Sequence, residues 1–292
     1  MRTRFDRFHP LVSFLFYAGA AALLILMLHP IFLFISSLLV LMINILHDRL
    51  QGIRRWSVFM LTTFLLMVIM NPLFNERGRH LLFELNDHRF TLEAVVYGGM
   101  NALSIIGIIA LFVSYNVIMT PNKLLFLFAK ILPQFAVLLM LTLRFIPLMR
   151  RRLEDISLVQ KSKGLSVSQG RWGARMKTGM LYVQTLLTFS LEEAIQTADS
   201  MKARGYGKGP RTTYEYFKIK QSDIAALIYL LLLFSFIVVE RISGFGVLTI
   251  YPIMESWHLS ILDTAVLIGY SMFLGFPILV EAGGMLRWRL LK

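Results

Sequence analysis

The sequence predicts an all-α, polytopic membrane protein with about six transmembrane helices and two long helices on the cytoplasmic side. Three observations carry that expectation. Of 292 residues, 57% are hydrophobic and only 16% charged, whereas soluble domains carry about a quarter charged residues. Several apolar runs reach the roughly 20 helical residues needed to cross a bilayer. Residues 119–222 hold two long amphipathic stretches, each closing on a basic residue followed by glycine. Cysteine is absent, which excludes disulfides, thiol catalysis and cysteine metal sites.

The expected spans are 11–28, 30–47, 56–73, 94–118, 223–240 and 261–281. They divide the chain into N-terminal transmembrane helices (1–118), cytoplasmic or interfacial helices (119–222) and C-terminal transmembrane helices (223–292). The basic lead "MRTRFDR" and the apolar run after it have the outline of a signal peptide. The small residues Ala18-Gly19-Ala20 fall inside that run rather than after it, so an uncleaved first span is expected. Only His29-Pro30 separates the first two spans, making a tight hairpin. Proline is tolerated there, and in His9-Pro10, because the first helical turn needs no internal N–H bond. The polar connection 74–93 is expected as a short helix at the outer surface. The loop 241–257 is external, with glycines and a proline for turns.

Lys and Arg set the orientation. With the N-terminus in the cytoplasm, only Arg77, Arg79, Arg89 and Arg241 of the 30 basic residues lie outside. An even number of spans returns the C-terminus to the cytoplasm, as expected for the plasma membrane of a prokaryote. The net charge of +13 is then a positive-inside signature rather than a nucleic-acid footprint.

Pumps and intramembrane enzymes leave ionisable groups inside their spans. Here such groups fall only at span ends, as with His47, Asp223, Glu240 and Asp263. The six histidines fit no metal motif. "GARMKTG" (173–179) has Lys177-Thr178, but Met176 replaces the glycine a phosphate loop requires, and no apolar strand precedes it. No cofactor is expected in this chain.

The cytoplasmic middle carries the signal. After "TPNKLL", residues 122–132 read as a helix on the inner membrane surface with Lys123 and Lys130 on its edges. A helix over 133–163 would run ~46 Å at 1.5 Å per residue. Its first half is apolar, its second half basic, with Ile146, Met149, Leu153, Ile156 and Gln160 on one face. Pro147 is expected to bend it, and Arg144 to snorkel to phosphates or cap a neighbouring helix. "SVSQGRWG" (166–173) makes a turn. A second helix over 174–204 offers a seam of Leu187, Leu191, Ala194 or Ile195, Ala198 and Met201.

The two helices end alike, on Lys161-Ser162-Lys163-Gly164 and Lys202-Ala203-Arg204-Gly205. A basic last turn complements the helix dipole, and glycine supplies the left-handed residue that stops a helix. Either ending alone is ordinary. Repeated on two long helices, they present protruding cations able to enter acidic grooves on a partner with two similar sites.

In the order "HP", "TPNKLL", "LRFIP" (143–147) and the two basic-glycine ends, the chain resembles the transmembrane T component of energy-coupling-factor transporters, a branch of the ABC transporters. The likeness covers residues ~5–240. It implies a non-catalytic subunit that joins two cytosolic ATPases, identical or different, to a small membrane S component that binds the substrate. ATP would be bound by those partners, and the cargo would be a vitamin, a precursor or a metal ion. The resemblance implies that Ala203-Arg204-Gly205 docks on one ATPase. Ser162-Lys163-Gly164 stands where a second Ala-Arg-Gly is expected, and lysine lacks arginine's planar fork. The last two spans exceed the plainest family arrangement. Two other readings are a scaffold whose basic middle binds anionic membrane lipids and a membrane enzyme using His80, Asp87 and His88.

Overall fold

Each His-Pro pair opens a helix in the same way. In the computed structural model, His9 Nδ1 accepts the N–H of Leu11 at the head of α1 (Pro10–Leu26), and His29 Nδ1 accepts that of Ile31 at the head of α2 (Pro30–Asp48). Each imidazole thus satisfies a donor that the first turn leaves open, ahead of a proline that has none to satisfy. The structure describes residues 3–76, 78–85, 88–129, 132–165, 167, 171–209, 217–250 and 258–290, without the side chains at 83, 85, 88 and 285–290.

The further described elements are α3 (Gln51–Phe74), β1 (Leu81–Leu85), β2 (His88–Thr91), α4 (Leu92–Ile118), α5 (Pro121–Ala129), α6 (Pro133–Ser162), α7 (Trp172–Ala203), α8 (Gln221–Ile242), α9 (Ile261–Leu274) and α10 (Phe276–Leu290). A single 3-10 turn, Phe5–Arg7, precedes α1. The protein is an all-α polytopic membrane protein. Helices α2, α3, α4, α6 and α8 are long and apolar enough to span, and α9 with α10 makes a sixth candidate. At 17 residues, α1 is a shorter apolar helix.

The structure corrects four local expectations. Connection 74–93 holds an antiparallel hairpin of β1 and β2, not a surface helix, with Phe83 opposite Phe90 and Glu84 opposite Arg89. The sequence carries Asn86-Asp87, two turn-favouring residue types, between the two short strands. The span expected from residue 56 begins at Gln51, because Arg49 and Leu50 take left-handed backbone and Asp48 Oδ2 accepts the N–H of Gly52 at 2.7 Å. Arg54 and Arg55 therefore ride the first turns of α3. The span expected over 261–281 is bent by 60° between α9 and α10. Pro277 has no N–H to offer the preceding turn. Lys123 is buried instead of lying on a surface edge.

The chain forms two compact units, one of residues 1–123 with 217–292 and one of 124–216. In the first, α1 packs against α4 and α8, α2 against α4 and α9, and α3 against α4. Its core is aromatic. Phe16 stacks on Phe273 with ring centroids 5.8 Å apart, and Phe5 meets Phe16 edge-on at 5.5 Å. The α3–α4 approach is close enough that a Cβ at Gly98 would lie 3.0 Å from the Met67 carbonyl oxygen, the small-residue packing that membrane helices favour. Buried polar atoms here mostly find partners. Tyr17 and His47 Nδ1 each lie 2.7 Å from Ser114 Oγ, and Asn44 donates to the carbonyls of Val40 and Ala110.

In the second unit α6 and α7 pack antiparallel. Arg152 sits over the Phe189 ring at 5.7 Å, Ser190 Oγ lies 3.0 Å from Met149 Sδ, and the Tyr182 hydroxyl donates to the Leu165 carbonyl at 2.9 Å. Ile156, Thr178 and Tyr182 are buried at this contact. The seam expected on α7 stays uncovered: Leu187, Leu191 and Ile195 are exposed. Periodicity marks an apolar stripe without saying which neighbour covers it.

Candidate functional site

The two helix ends expected to dock a partner share one backbone construction. After α6, Gly164 adopts φ +77°, its N–H bonds the Lys161 carbonyl at 3.0 Å, and the Leu165 N–H reaches back to Gln160 at 2.9 Å. After α7, Gly205 adopts φ +79°, its N–H bonds Lys202 at 2.9 Å, and the Tyr206 N–H reaches Met201 at 2.9 Å. These are the paired five-to-two and six-to-one bonds of a Schellman stop. Register matches as well: Lys163 and Arg204 occupy the same place, one residue before the left-handed glycine. A side chain at that position leaves the helix just where the chain turns away.

Lys161, Ser162, Lys163 and Gly164 are exposed, as are Lys202, Ala203 and Arg204, while Gly205 is half-buried. Ser162 turns its hydroxyl back to the Val159 carbonyl at 2.7 Å, so it adds no outward polar group. Among the described residues, none of the four cations forms an ion pair. Each tip is closed by backbone bonds, leaving its charged groups available.

The tips lie on opposite sides of the α6–α7 crossing. From the Arg152–Phe189 contact, eleven residues of α6 lead to Lys163 and fifteen of α7 lead to Arg204. At 1.5 Å per residue these are ~16 Å and ~22 Å, both toward the C-terminus and therefore in opposite spatial directions along the antiparallel pair. At the first tip, Tyr182 holds the Leu165 carbonyl, and Arg175 Nε donates to the Val167 carbonyl at 2.7 Å. Arg144 and Pro147 are exposed on α6, which is assigned as one helix through Pro147.

Residues 173–179, considered as a phosphate loop, lie inside α7. Most of their backbone N–H groups are spent on helical bonds rather than free to cradle an anion. On the hairpin side, His80 Nδ1 lies 2.8 Å from Glu93 Oε1, and the N–H groups of Arg79 and His80 also donate to that carboxylate. Glu93 is fully buried and clamps the entry to β1. Asp87 and the side chain of His88, the other two members of the outer-loop reading, lie outside the described residues, as does Lys130.

Sequence reasoning missed two polar contacts that organise the first unit. Lys123 Nζ bonds Asp6 Oδ1 at 2.7 Å and the Ile118 carbonyl at 3.1 Å. The Arg4 N–H donates to Glu281 at 2.9 Å. "TPNKLL" drew attention to Lys123, but nothing in its spacing indicates a partner 117 residues away.

Over residues 3–215 the chain matches the model of a family described as CbiQ, cobalt transport protein. It is 26% identical over 211 residues to the energy-coupling factor transporter transmembrane protein EcfT of Staphylococcus aureus, covering 67% of this chain and 79% of that one. Against the protein of the same name from Bacillus selenitireducens it is 28% identical over 205 residues, 66% of this chain and 75% of the relative. An uncharacterized protein of Mycoplasma pneumoniae, the MG181 homolog, is 32% identical over 111 residues, 38% of this chain and 26% of that protein.

Proposed function

The chain belongs to the cobalt transport protein family, as a transmembrane T component of energy-coupling-factor transporters, and we propose that it couples two cytosolic ATPases to a small substrate-binding membrane subunit. The tips at Lys163 and Arg204 sit in grooves on the two ATPases. Nucleotide binding and hydrolysis shift those grooves, α6 and α7 move with them, and their uncovered apolar faces transmit the movement to the substrate-binding subunit. The chain performs no chemistry. The cargo, a vitamin, a precursor or a metal ion, is chosen by that other subunit. N- and C-termini lie in the cytoplasm, where the excess of Lys and Arg places them.

The observation that carries this reading is the duplicated stop, with the same two backbone bonds, the same left-handed glycine and an exposed cation at the same position. A groove lined with carboxylates would meet each cation in a charge-assisted hydrogen bond. Arginine binds such a surface through two parallel bonds, lysine through a point charge, so the Arg204 tip is the stronger anchor.

The test is affinity purification from native membranes, wild type beside Arg204→Glu and Lys163→Glu. Two ATP-binding subunits and a small membrane protein are expected with wild type. Arg204→Glu should lose the ATPases while still inserting in the membrane, and Lys163→Glu should lose fewer. Full ATPase retention by Arg204→Glu would refute the docking role, and a greater loss with Lys163→Glu would overturn the ranking.

A further inference from the structure

The chain passes between its two units twice, after Lys123 and before Phe217. Both crossings begin at residues tied to one short stretch of the N-terminus. At the entry, Lys123 Nζ donates to Asp6 Oδ1 at 2.7 Å and to the Asp6 carbonyl at 3.0 Å. At the exit, the His9 N–H donates to Asp223 Oδ1 at 3.2 Å, and the His9 and Phe217 rings meet edge-on at 6.5 Å. Asp223 is itself fixed, because its Oδ2 accepts the Lys220 N–H at 2.8 Å.

Asp6 and His9 are three residues apart, so their Cα atoms lie within about 11 Å of each other. The stretch between them is held from behind as well. Arg4 N–H bonds Glu281 on α10, and the fully buried Phe5 stacks on His47 at 5.9 Å. Lys123 and Asp223 are both buried, and a buried charge persists only where a partner compensates it. What the pair does is fasten one chain crossing to the other through residues 6–9.

We propose that residues 4–9 form a clasp that holds together Lys123 and the Phe217–Asp223 stretch, the two places within the membrane bundle between which the chain runs through the 124–216 unit. Nucleotide-driven movement of that unit is then a swing about a held point, and Lys123 and Asp6 are positioning residues for coupling. The inference rests on the coupling role proposed above. It is separable from docking, since Lys123 lies 40 residues before Lys163.

The absence of cysteine allows spin labels at Ser57→Cys on α3 and Ser200→Cys on α7, both exposed. The purified complex with its ATPases is measured by electron–electron distance spectroscopy, nucleotide-free and with ATP plus vanadate. With the clasp intact, two narrow distance distributions are expected. Asp6→Asn with Lys123→Met removes both charges together. It should retain the ATPases at the wild-type level while the nucleotide-dependent shift collapses into one broad distribution. The exchanged pair Asp6→Lys with Lys123→Asp should recover the shift that Lys123→Asp alone loses, which keeps the test decisive if the neutral pair folds poorly. A wild-type shift in the neutral pair, or no recovery in the exchanged pair, would overturn the clasp. A wild-type complex with no ATPases or no shift contradicts the coupling reading itself.

Discussion

At Gly205 the backbone stands at φ +79° with nothing within 4 Å of where a Cβ would sit. Any cost of substitution there is therefore conformational rather than steric crowding by neighbours. Gly205→Ala should weaken the stop by about 1 kcal/mol, the left-handed penalty for an L-residue. Amide exchange at Tyr206 should speed up by the corresponding few-fold while exchange at Leu165 stays constant. Tyr182→Phe removes the hydroxyl that holds the Leu165 carbonyl and should cost about 1 kcal/mol, this time with faster exchange around the first tip alone. Lys-x-Arg-Gly was legible in the sequence because helix termination is local chemistry, written in adjacent residues. The Lys123–Asp6 pair was not. A lysine on the edge of an apolar helix gives the same pattern whether it faces lipid phosphate or a carboxylate far along the chain.

Among the elements, the long helices were readable because apolar runs of bilayer length admit few other structures. The hairpin between α3 and α4 was not, since its strands are only five and four residues long and a charged, leucine-bearing connection fits either period. Nor does composition reveal the 60° break between α9 and α10, because Gly275 and Pro277 interrupt a run that stays apolar throughout. The seam on α7 failed as a packing forecast for a related reason: its apolar residues are real, but among the described residues no neighbour covers Leu187, Leu191 and Ile195. At this scale Glu93 gives a sharp expectation. Glu93→Gln keeps the shape but removes the charge that accepts three bonds from Arg79 and His80. Exchange at those two amides should rise by roughly five- to 150-fold, matching a loss of about 1–3 kcal/mol. Unchanged protection would mean that strand pairing, not the carboxylate, holds the connection.

Over the whole molecule, the proposed function rests on arrangement rather than on any reactive group. A membrane bundle whose described Asp, Glu, Lys, Arg and His residues fall mostly near its helix ends, joined to a unit with two basic tips of the same backbone construction, is suited to transmitting movement made elsewhere. The tips lie beyond opposite ends of one crossing, so a displacement at either one turns its helix against the other. The measurement that tests this most directly exploits the cysteine-free background. Lys163→Cys and Arg204→Cys are introduced separately, treated in native membranes with a short thiol-reactive photo-crosslinker, and the products identified by mass spectrometry. The account predicts that each tip captures an ATP-binding subunit, while Ser57→Cys on α3 captures none. If both tips yield only lipid or uncaptured chain while the ATPases remain in the same membranes, the tips do not dock them, and the account is contradicted at its centre.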